Sequence, residues 1–372
     1  MARPPLPPFH ADHVGSLLRP PELLAARYPE DGSAPDEASL RPLEDRLIRD
    51  VIRMQEDVGL GSITDGEYRR ESWRLGLVSK VAGFARADAV GDVDYQHDDA
   101  GGRRRIGNAP VATGPVRRVG PIAADEVEFV LRHTRGAAKA TLPSPSYLHY
   151  PRGRECVDPD VYPEIDAFFD DVVACYREEI EALYAIGGRY LQIDEVAQAL
   201  LCDETLRAAL RARGDDPDAL SDLYIDLINR IVRDRPADLR VAVHMCRGNA
   251  MGQWMGSGSY ERIADNAFNR LEVDGFLLEY DTDRAGGFEP LRLMPSGKTA
   301  VLGLVSTKSA EMESIDGLRR RVDEAARHVP HERLGLCPQC GFASADRGTS
   351  LTAEDQAAKL RLVVETAAAI WG

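Results

Sequence analysis

The stretch 241–249 is an apolar run that breaks off in His244-Met245-Cys246, followed by Gly248 and Asn249. Side chains alternate in direction along an extended strand, so His244 and Cys246 face the same side. An imidazole nitrogen beside a thiolate sulfur is half of a tetrahedral site for a borderline-soft ion such as Zn²⁺. Two later stretches can complete it: Glu279 ends the apolar run 276–278, and Cys337 and Cys340 follow the run 334–336. A lone His or Cys near a buried strand is more often packed and hydrogen-bonded than ligating. The Cys337/Cys340 pair alone fits a structural zinc half-site or a redox motif equally well. Three strand-end clusters of ligand-type residues in one chain favour a shared metal site.

Two thiolates, one carboxylate and a neutral imidazole around Zn²⁺ leave a net charge near −1. Such a site is a poor Lewis acid for hydrolysis. It suits a further ligand, a substrate thiol, that loses its proton and keeps electron density on sulfur. A free thiol, with a pKa of about 8.5, is mostly protonated at neutral pH, and metal binding removes that proton. The chemistry expected is alkyl transfer to a metal-activated thiolate.

The elements that would carry these residues are short apolar runs, about eight of them, most followed by a helical segment. Strands at 62–64, 138–142, 190–193, 241–243, 273–278, 300–305 and 334–336 show little alternation, as strands buried on both faces do. Helical periodicity covers 41–58, closed by Gly59, and about 163–186, 204–213, 217–233 and 353–370. This alternation predicts a (β/α)₈ barrel, a TIM barrel, over 1–372, with a polar, Gly-rich excursion at 85–137 between strands 2 and 3. The Pro-rich residues 1–12 are expected as an arm over the surface. Each strand ends in polar or ligand-type residues: Ser16, Asp65 and Glu67, Ser144, Asp194 and Glu195, His244 and Cys246, Glu279, Lys308, Cys340. In such a barrel those ends converge on one mouth. A doubly wound open sheet is the alternative, and it would spread them along a crevice.

The chain has 372 residues, 46 basic and 61 acidic, for a formal charge of −15, which argues against a nucleic-acid surface or an anionic membrane partner. No run is long enough to span a bilayer and the start lacks a secretion-signal core, so the cytoplasm is the expected compartment. The six scattered cysteines are expected as thiols, some ligating metal. Arg103, Arg104, Arg105, Arg117 and Arg118 form the one strongly basic stretch, expected as a solvated face rather than a contact for an anionic substrate tail.

His244-Met245-Cys246, Glu279 and Cys340-Gly341, with 192–195 (Gln-Ile-Asp-Glu) and 14–16 (Val-Gly-Ser), resemble the catalytic barrel of the cobalamin-independent methionine synthases. The resemblance covers nearly the whole chain and is to the short, single-barrel branch. It implies zinc held by His244, Cys246, Glu279 and Cys340, and methyl transfer from a methyltetrahydrofolate-type donor to homocysteine. By position it also implies that Ser16 takes the homocysteine carboxylate and that Glu67 and Asp194, with Glu195 beside them, bind its ammonium. Two carboxylates at strand ends suit that cation on charge alone, although a strand-end acid can instead cap the following helix. Asp194 and Lys308 are the candidate catalytic residues. Lys308 stands where the long enzymes carry a candidate proton-donating His, and it could donate only if burial lowered its pKa; otherwise it would bind an anionic group. The tryptophan that the long enzymes place beside the pterin has no counterpart in 147–150 (Tyr-Leu-His-Tyr). Alternatives keep the zinc chemistry with another thiol or donor, such as coenzyme M opening an epoxide, methylcobalamin or a sulfonium. Others are a non-catalytic zinc or redox module at Cys337 and Cys340, or a metal-free decarboxylase. Oligomeric state is left open.

Overall fold

In the computed structural model, which describes residues 7, 9–85, 94–95, 104–105, 110–249, 252–346 and 350–372, the strands in chain order are β1 (Ser62–Ile63), β2 (Val81–Ala85), β3 (Asp94–Tyr95), β4 (Arg104–Arg105), β5 (Val111–Arg118), β6 (Ala137–Pro143), β7 (Tyr190–Asp194), β8 (Arg240–Met245), β9 (Gly275–Glu279), β10 (Thr299–Val305) and β11 (Leu334–Pro338). Seven of them form one parallel sheet in the order β1-β6-β7-β8-β9-β10-β11. The sheet curls until residues 10–16 close it. Ala11 bridges in parallel to Leu336, with the Asp12 N–H on the Leu336 carbonyl at 3.0 Å and the Leu336 N–H on the His10 carbonyl at 2.7 Å. On the β1 side, side chains carry most of the seam: Ser62 Oγ donates to Asp12, and Thr64 Oγ1 donates to the Gly15 carbonyl at 2.7 Å. The expected (β/α)₈ barrel is the fold, and the open sheet is excluded by this closure.

Which side chains enter the barrel follows from the period of two. Val14, Tyr190, Ala242, Leu277, Val301 and Cys337 form an apolar cluster of their own, separate from the larger core under the helices. Two residues further along the same strands, on the same side, come Ser16, Gln192, His244, Glu279 and, at the end of β7, Asp194. The apolar plug inside the barrel is thus the floor of the polar mouth. The outer helices follow the predicted periodicity closely, as in Glu204–Arg213, Pro217–Val232 and Ala353–Trp371. The helix predicted at 41–58 is Glu37–Asp57, starting earlier because the Asp36 carboxylate accepts from the Ala38 N–H.

Two expectations need correction. The N-terminal arm does not stay on the surface: Asp12 is fully buried inside the barrel, and Phe9 lies edge-on to Tyr190 at 6.4 Å. At the excursion, β5 pairs antiparallel with β2, the strand just before it, and a helix, Ala124–His133, leads into β6. Of the basic stretch, Arg103 and the side chains of Arg104 and Arg105 lie outside the described residues. Arg118 is not merely solvated: its Nε donates to Glu179 at 2.8 Å. The buried Glu179 carboxylate also accepts from the N–H groups of Ile122, Ala123 and Ala124 at 2.7 to 2.9 Å. It thereby caps one helix from another, Ile165–Ala185, and ties the excursion to the barrel. Glu179→Ala would strand these buried donors, and we expect it to lower unfolding free energy by about 3 kcal/mol, read by urea denaturation, with the cavity residues undisturbed. A loss under about 1 kcal/mol would show that water replaces the cap.

Candidate metal centre and active site

His244 points inward from β8, Cys246 follows just past its end, and Cys340 sits in the turn after β11. One ligand atom from each lies within 4.8 Å of the others, and the two sulfurs are 3.8 Å apart. All three residues are buried, and the His244 ring nitrogens have no nitrogen or oxygen partner among the described residues, with only the Cys246 sulfur beside them. A buried polar group left unpaired costs about 1–3 kcal/mol, so such groups are normally satisfied. The adjoining Cys340 thiol and burial together push the Cys246 thiol well above its usual range. Burial pulls the His244 imidazolium down, but Cys246, Asp194 and Glu279 outweigh it and hold the pKa raised. These groups want a cation at their centre. One nitrogen and two soft sulfurs at this spacing fit Zn²⁺.

The ambiguity between Cys337 and Cys340 resolves by layer. Cys337 belongs to the apolar plug, while Cys340, beyond the strand, meets Cys246. Asn249 clamps the two cysteine-bearing loops together, its Nδ2 donating to Thr307 Oγ1 at 3.0 Å and to the Gly341 carbonyl at 3.2 Å. Residue 341 must be glycine for this fit, because a Cβ there would overlap Ser16 Oγ.

Glu279 reaches the same mouth with its carboxylate engaged elsewhere. Oε2 accepts from the Arg247 N–H at 2.7 Å, and Oε1 meets the Arg284 guanidinium and, at 3.5 Å, Lys308 Nζ. Burial alone would raise the Glu279 pKa, but Lys308, Arg284 and Arg247 overcome it and bring it down to about 2. No Glu279 oxygen belongs to the 4.8 Å group. Lys308 pairs with Asp281 at 2.9 Å as well as with Glu279. Burial pulls its pKa down, yet the two carboxylates outweigh burial and raise it. Lys308 lies outside the cavity lining, as a counter-ion of Glu279 and Asp281.

Ser16, Glu67 and Asp194 line a cavity of about 860 Å³, open mouth included, together with His244, Cys246 and Cys340. Glu67 adopts a left-handed backbone, φ 60°, which costs a non-glycine residue of order 1 kcal/mol. Its N–H is held by Asp65 Oδ1 at 2.8 Å, and its Oε1 by Thr141 Oγ1 at 2.8 Å and Arg70 at 3.3 Å. Oε2 is buried with no partner, as a site awaiting a donor would be. Asp194 Oδ1 accepts from Gln192 at 2.7 Å, and burial, with Glu67 adding to it, raises the Asp194 pKa to about 6. Glu195 turns the other way. Its carboxylate accepts from Ser144, from Ser146 at 2.7 Å and from the Gln198 N–H at 2.9 Å, capping the helix Val196–Leu200 behind the cavity.

The loop-borne half of the cavity was not foreseen. Trp73 and Tyr147 stand with ring centroids 5.6 Å apart, and the Arg74 guanidinium lies 5.7 Å from the Tyr147 ring centre. Tyr150, Leu200 and Met255 extend this wall. The loop carrying Trp73 is zipped to the one after Cys340, with the Trp73 N–H on the Ser344 carbonyl at 3.1 Å and Ser72 bridging Ala345. The available signal was proximity in sequence, since Trp73 and Arg74 follow Glu67 on the loop leaving a strand's C-terminal end, where barrel sites are built.

Residues 30–369 match the family model described as the catalytic domain of cobalamin-independent synthase. YxjG of Bacillus subtilis strain 168, a protein without an assigned activity, is 38% identical over 98% of this chain and 95% of its own length. A crystal structure of a candidate vitamin-B12-independent methionine synthase from Listeria monocytogenes superposes with a TM-score of 0.77 at 30% identity, covering 99% of this chain and all of that one. A vitamin-B12-independent methionine synthase from Shewanella sp. W3-18-1, solved with selenomethionine, shares the fold with a TM-score of 0.75 at 20% identity over 97% of both chains. Among the described residues no helix is long and apolar enough to cross a membrane. With its closed barrel, its strand-end His, Cys and Cys, and a match along nearly its full length, the chain belongs to the family of cobalamin-independent synthase catalytic domains, which points to methyl transfer in methionine synthesis.

Proposed function

We propose that this protein is a zinc-dependent S-methyltransferase that methylates homocysteine to methionine. The observation that carries the reading is the juxtaposition, in one cavity, of the buried His244, Cys246 and Cys340 group with two carboxylates, Glu67, whose Oε2 has no partner, and Asp194, which is tied to Gln192 through Oδ1. Zinc bound by His244, Cys246, Cys340 and Glu279 would supply the positive charge at which a thiol gives up its proton at neutral pH. Glu67 and Asp194 hold the substrate ammonium, and Ser16, on the opposing loop, takes its carboxylate. Fixing both ends of a small amino acid points its sulfur at the cysteine pair, converting a bimolecular displacement into a nearly unimolecular one. Lys308 and Arg284 keep Glu279 ionised, so the ligand set stays anionic. Glu195 has a structural part, setting the helix that walls the cavity.

The wall of Trp73, Tyr147, Tyr150, Leu200 and Met255 offers flat apolar surface beside the Arg74 cation, with no carboxylate among these described residues. That chemistry favours a planar donor, neutral or anionic, such as a methylated pteridine of the methyltetrahydrofolate type, over a sulfonium, which Arg74 would repel. Coenzyme M-type thiols are disfavoured because they lack the ammonium for which two carboxylates are set. A redox module at Cys337 and Cys340 is disfavoured because Cys337 is sealed within the apolar plug.

Zinc-loaded protein given homocysteine and methyltetrahydrofolate, in its mono- and polyglutamate forms, is expected to form methionine, followed by mass spectrometry. Turnover only with methylcobalamin or a sulfonium would move the donor assignment, and turnover with none of them would overturn the reading. A second expectation concerns pH. The Asp194 pKa of about 6 in the fold lies above the ordinary value of 3.8, so the folded state favours the protonated acid. Its contribution to stability is complete below the unfolded pKa and is lost as pH rises through 6, leaving an ionised, strained carboxylate at pH 7. Asp194→Asn is therefore expected to stabilise the ligand-free protein at pH 7 by about 1–2 kcal/mol, with little change at pH 4. Unfolding midpoints at the two pH values check this; destabilisation at pH 7 would contradict it.

A further inference from the structure

Below the mouth, the barrel interior carries a polar thread through the apolar plug. Lys139, fully buried on β6, gives its three ammonium protons to Asp12 Oδ1 at 2.9 Å, to the His13 carbonyl and to Gln192 Oε1 at 3.1 Å. Tyr190 donates its hydroxyl to the other Asp12 oxygen at 2.8 Å. Gln192, equally buried, sends its amide nitrogen to the Val14 carbonyl at 2.6 Å and to Asp194 Oδ1 at 2.7 Å. An ammonium can only donate, and a carbonyl and a carboxylate can only accept, so the Gln192 amide has one allowed orientation. The –NH₂ must face Asp194.

A buried ion pair such as Lys139 with Asp12 adds little stability over an apolar replacement, because desolvation offsets the attraction. What this thread does deliver is a fixed hydrogen-bond donor under one carboxylate of the cavity. With Oδ1 tied to Gln192, the Asp194 carboxylate cannot turn about its terminal torsion, and its second oxygen remains for a ligand. We propose that Gln192, locked by Lys139, is a positioning residue that holds Asp194 for the substrate ammonium and so sets a preference for amino thiols over thiols lacking the amine. The inference rests on the proposed homocysteine reading and adds to it the groups that make the ammonium site selective. Glu67 is fixed independently, by Thr141 and Arg70, so the loss of Gln192 weakens one arm of that site and leaves the other.

The test is equilibrium binding of homocysteine and of 4-mercaptobutyrate, the same molecule without its amino group, to zinc-loaded protein by titration calorimetry. Wild-type protein is expected to prefer homocysteine. In Gln192→Met, homocysteine affinity should fall about tenfold or more, the loss expected for one hydrogen bond to a charged group, while 4-mercaptobutyrate affinity stays within about twofold. A merely structural role would weaken both thiols alike, and that result, or no loss for either, overturns the proposal. If Gln192→Met does not fold, Gln192→Leu, which likewise removes the donor without adding a charge, must show the same split. Wild-type protein that binds neither thiol would instead overturn the homocysteine reading, and this inference with it.

Discussion

The structure depends on one juxtaposition: His244, Cys246 and Cys340 are buried together, with one ligand atom of each within 4.8 Å of the others. The Cys246 thiol, beside Cys340 and buried, resists ionisation, and the buried His244 ring has only the Cys246 sulfur beside it as a partner. Asp194 and Glu279 favour the charged imidazole and offset part of that cost. Arg284 and Lys308 are paired with Glu279 and Asp281. Asn249 and the bare Cα of Gly341 hold the two cysteine loops at this spacing when relaxation would separate them.

The barrel makes this affordable by stacking its inward side chains in layers. At the bottom, Asp12, Lys139 and Tyr190 satisfy one another; above them Val14, Ala242, Leu277, Val301 and Cys337 exclude water; at the top sit the groups with valences to spare. Gln192 runs through the apolar layer and links bottom to top. The left-handed Glu67 adds local strain at the same level, held by Asp65, Arg70 and Thr141. Polar satisfaction below and unsatisfied valence above is the arrangement expected of a preorganised site, in which the protein meets the cost of orientation before the substrate arrives.

Much of this was legible in the sequence because it follows from periods. Alternation put His244 and Cys246 on one side of a strand, and apolar runs ending in polar residues gave the barrel and its active end. Loop and side-chain choices follow no period. Cys337 and Cys340 look equivalent in sequence, and only the end of β11 between them separates plug from mouth. Glu279 and Lys308 both stand at strand ends, yet Arg284, on a loop after β9, turns the carboxylate into an ion-pair hub. Lys139 hides within an apolar run and Glu179 on a long amphipathic helix, where a charge ordinarily marks the solvent face. Trp73 and Arg74 lie on a loop whose path is set by pairing with residues 344–345, far away in sequence.

The most direct test of the central claim is the electronic spectrum of cobalt(II)-substituted protein titrated with homocysteine. Cobalt held by His244, Cys246 and Cys340 should show sulfur-to-cobalt charge-transfer absorption in the near ultraviolet, unchanged in Cys337→Ser, weakened in Cys246→Ser and in Cys340→Ser and lost when both are replaced, and homocysteine should intensify it as another sulfur joins the metal. A spectrum indifferent to homocysteine, or one weakened in Cys337→Ser and unchanged in Cys340→Ser, would contradict the account.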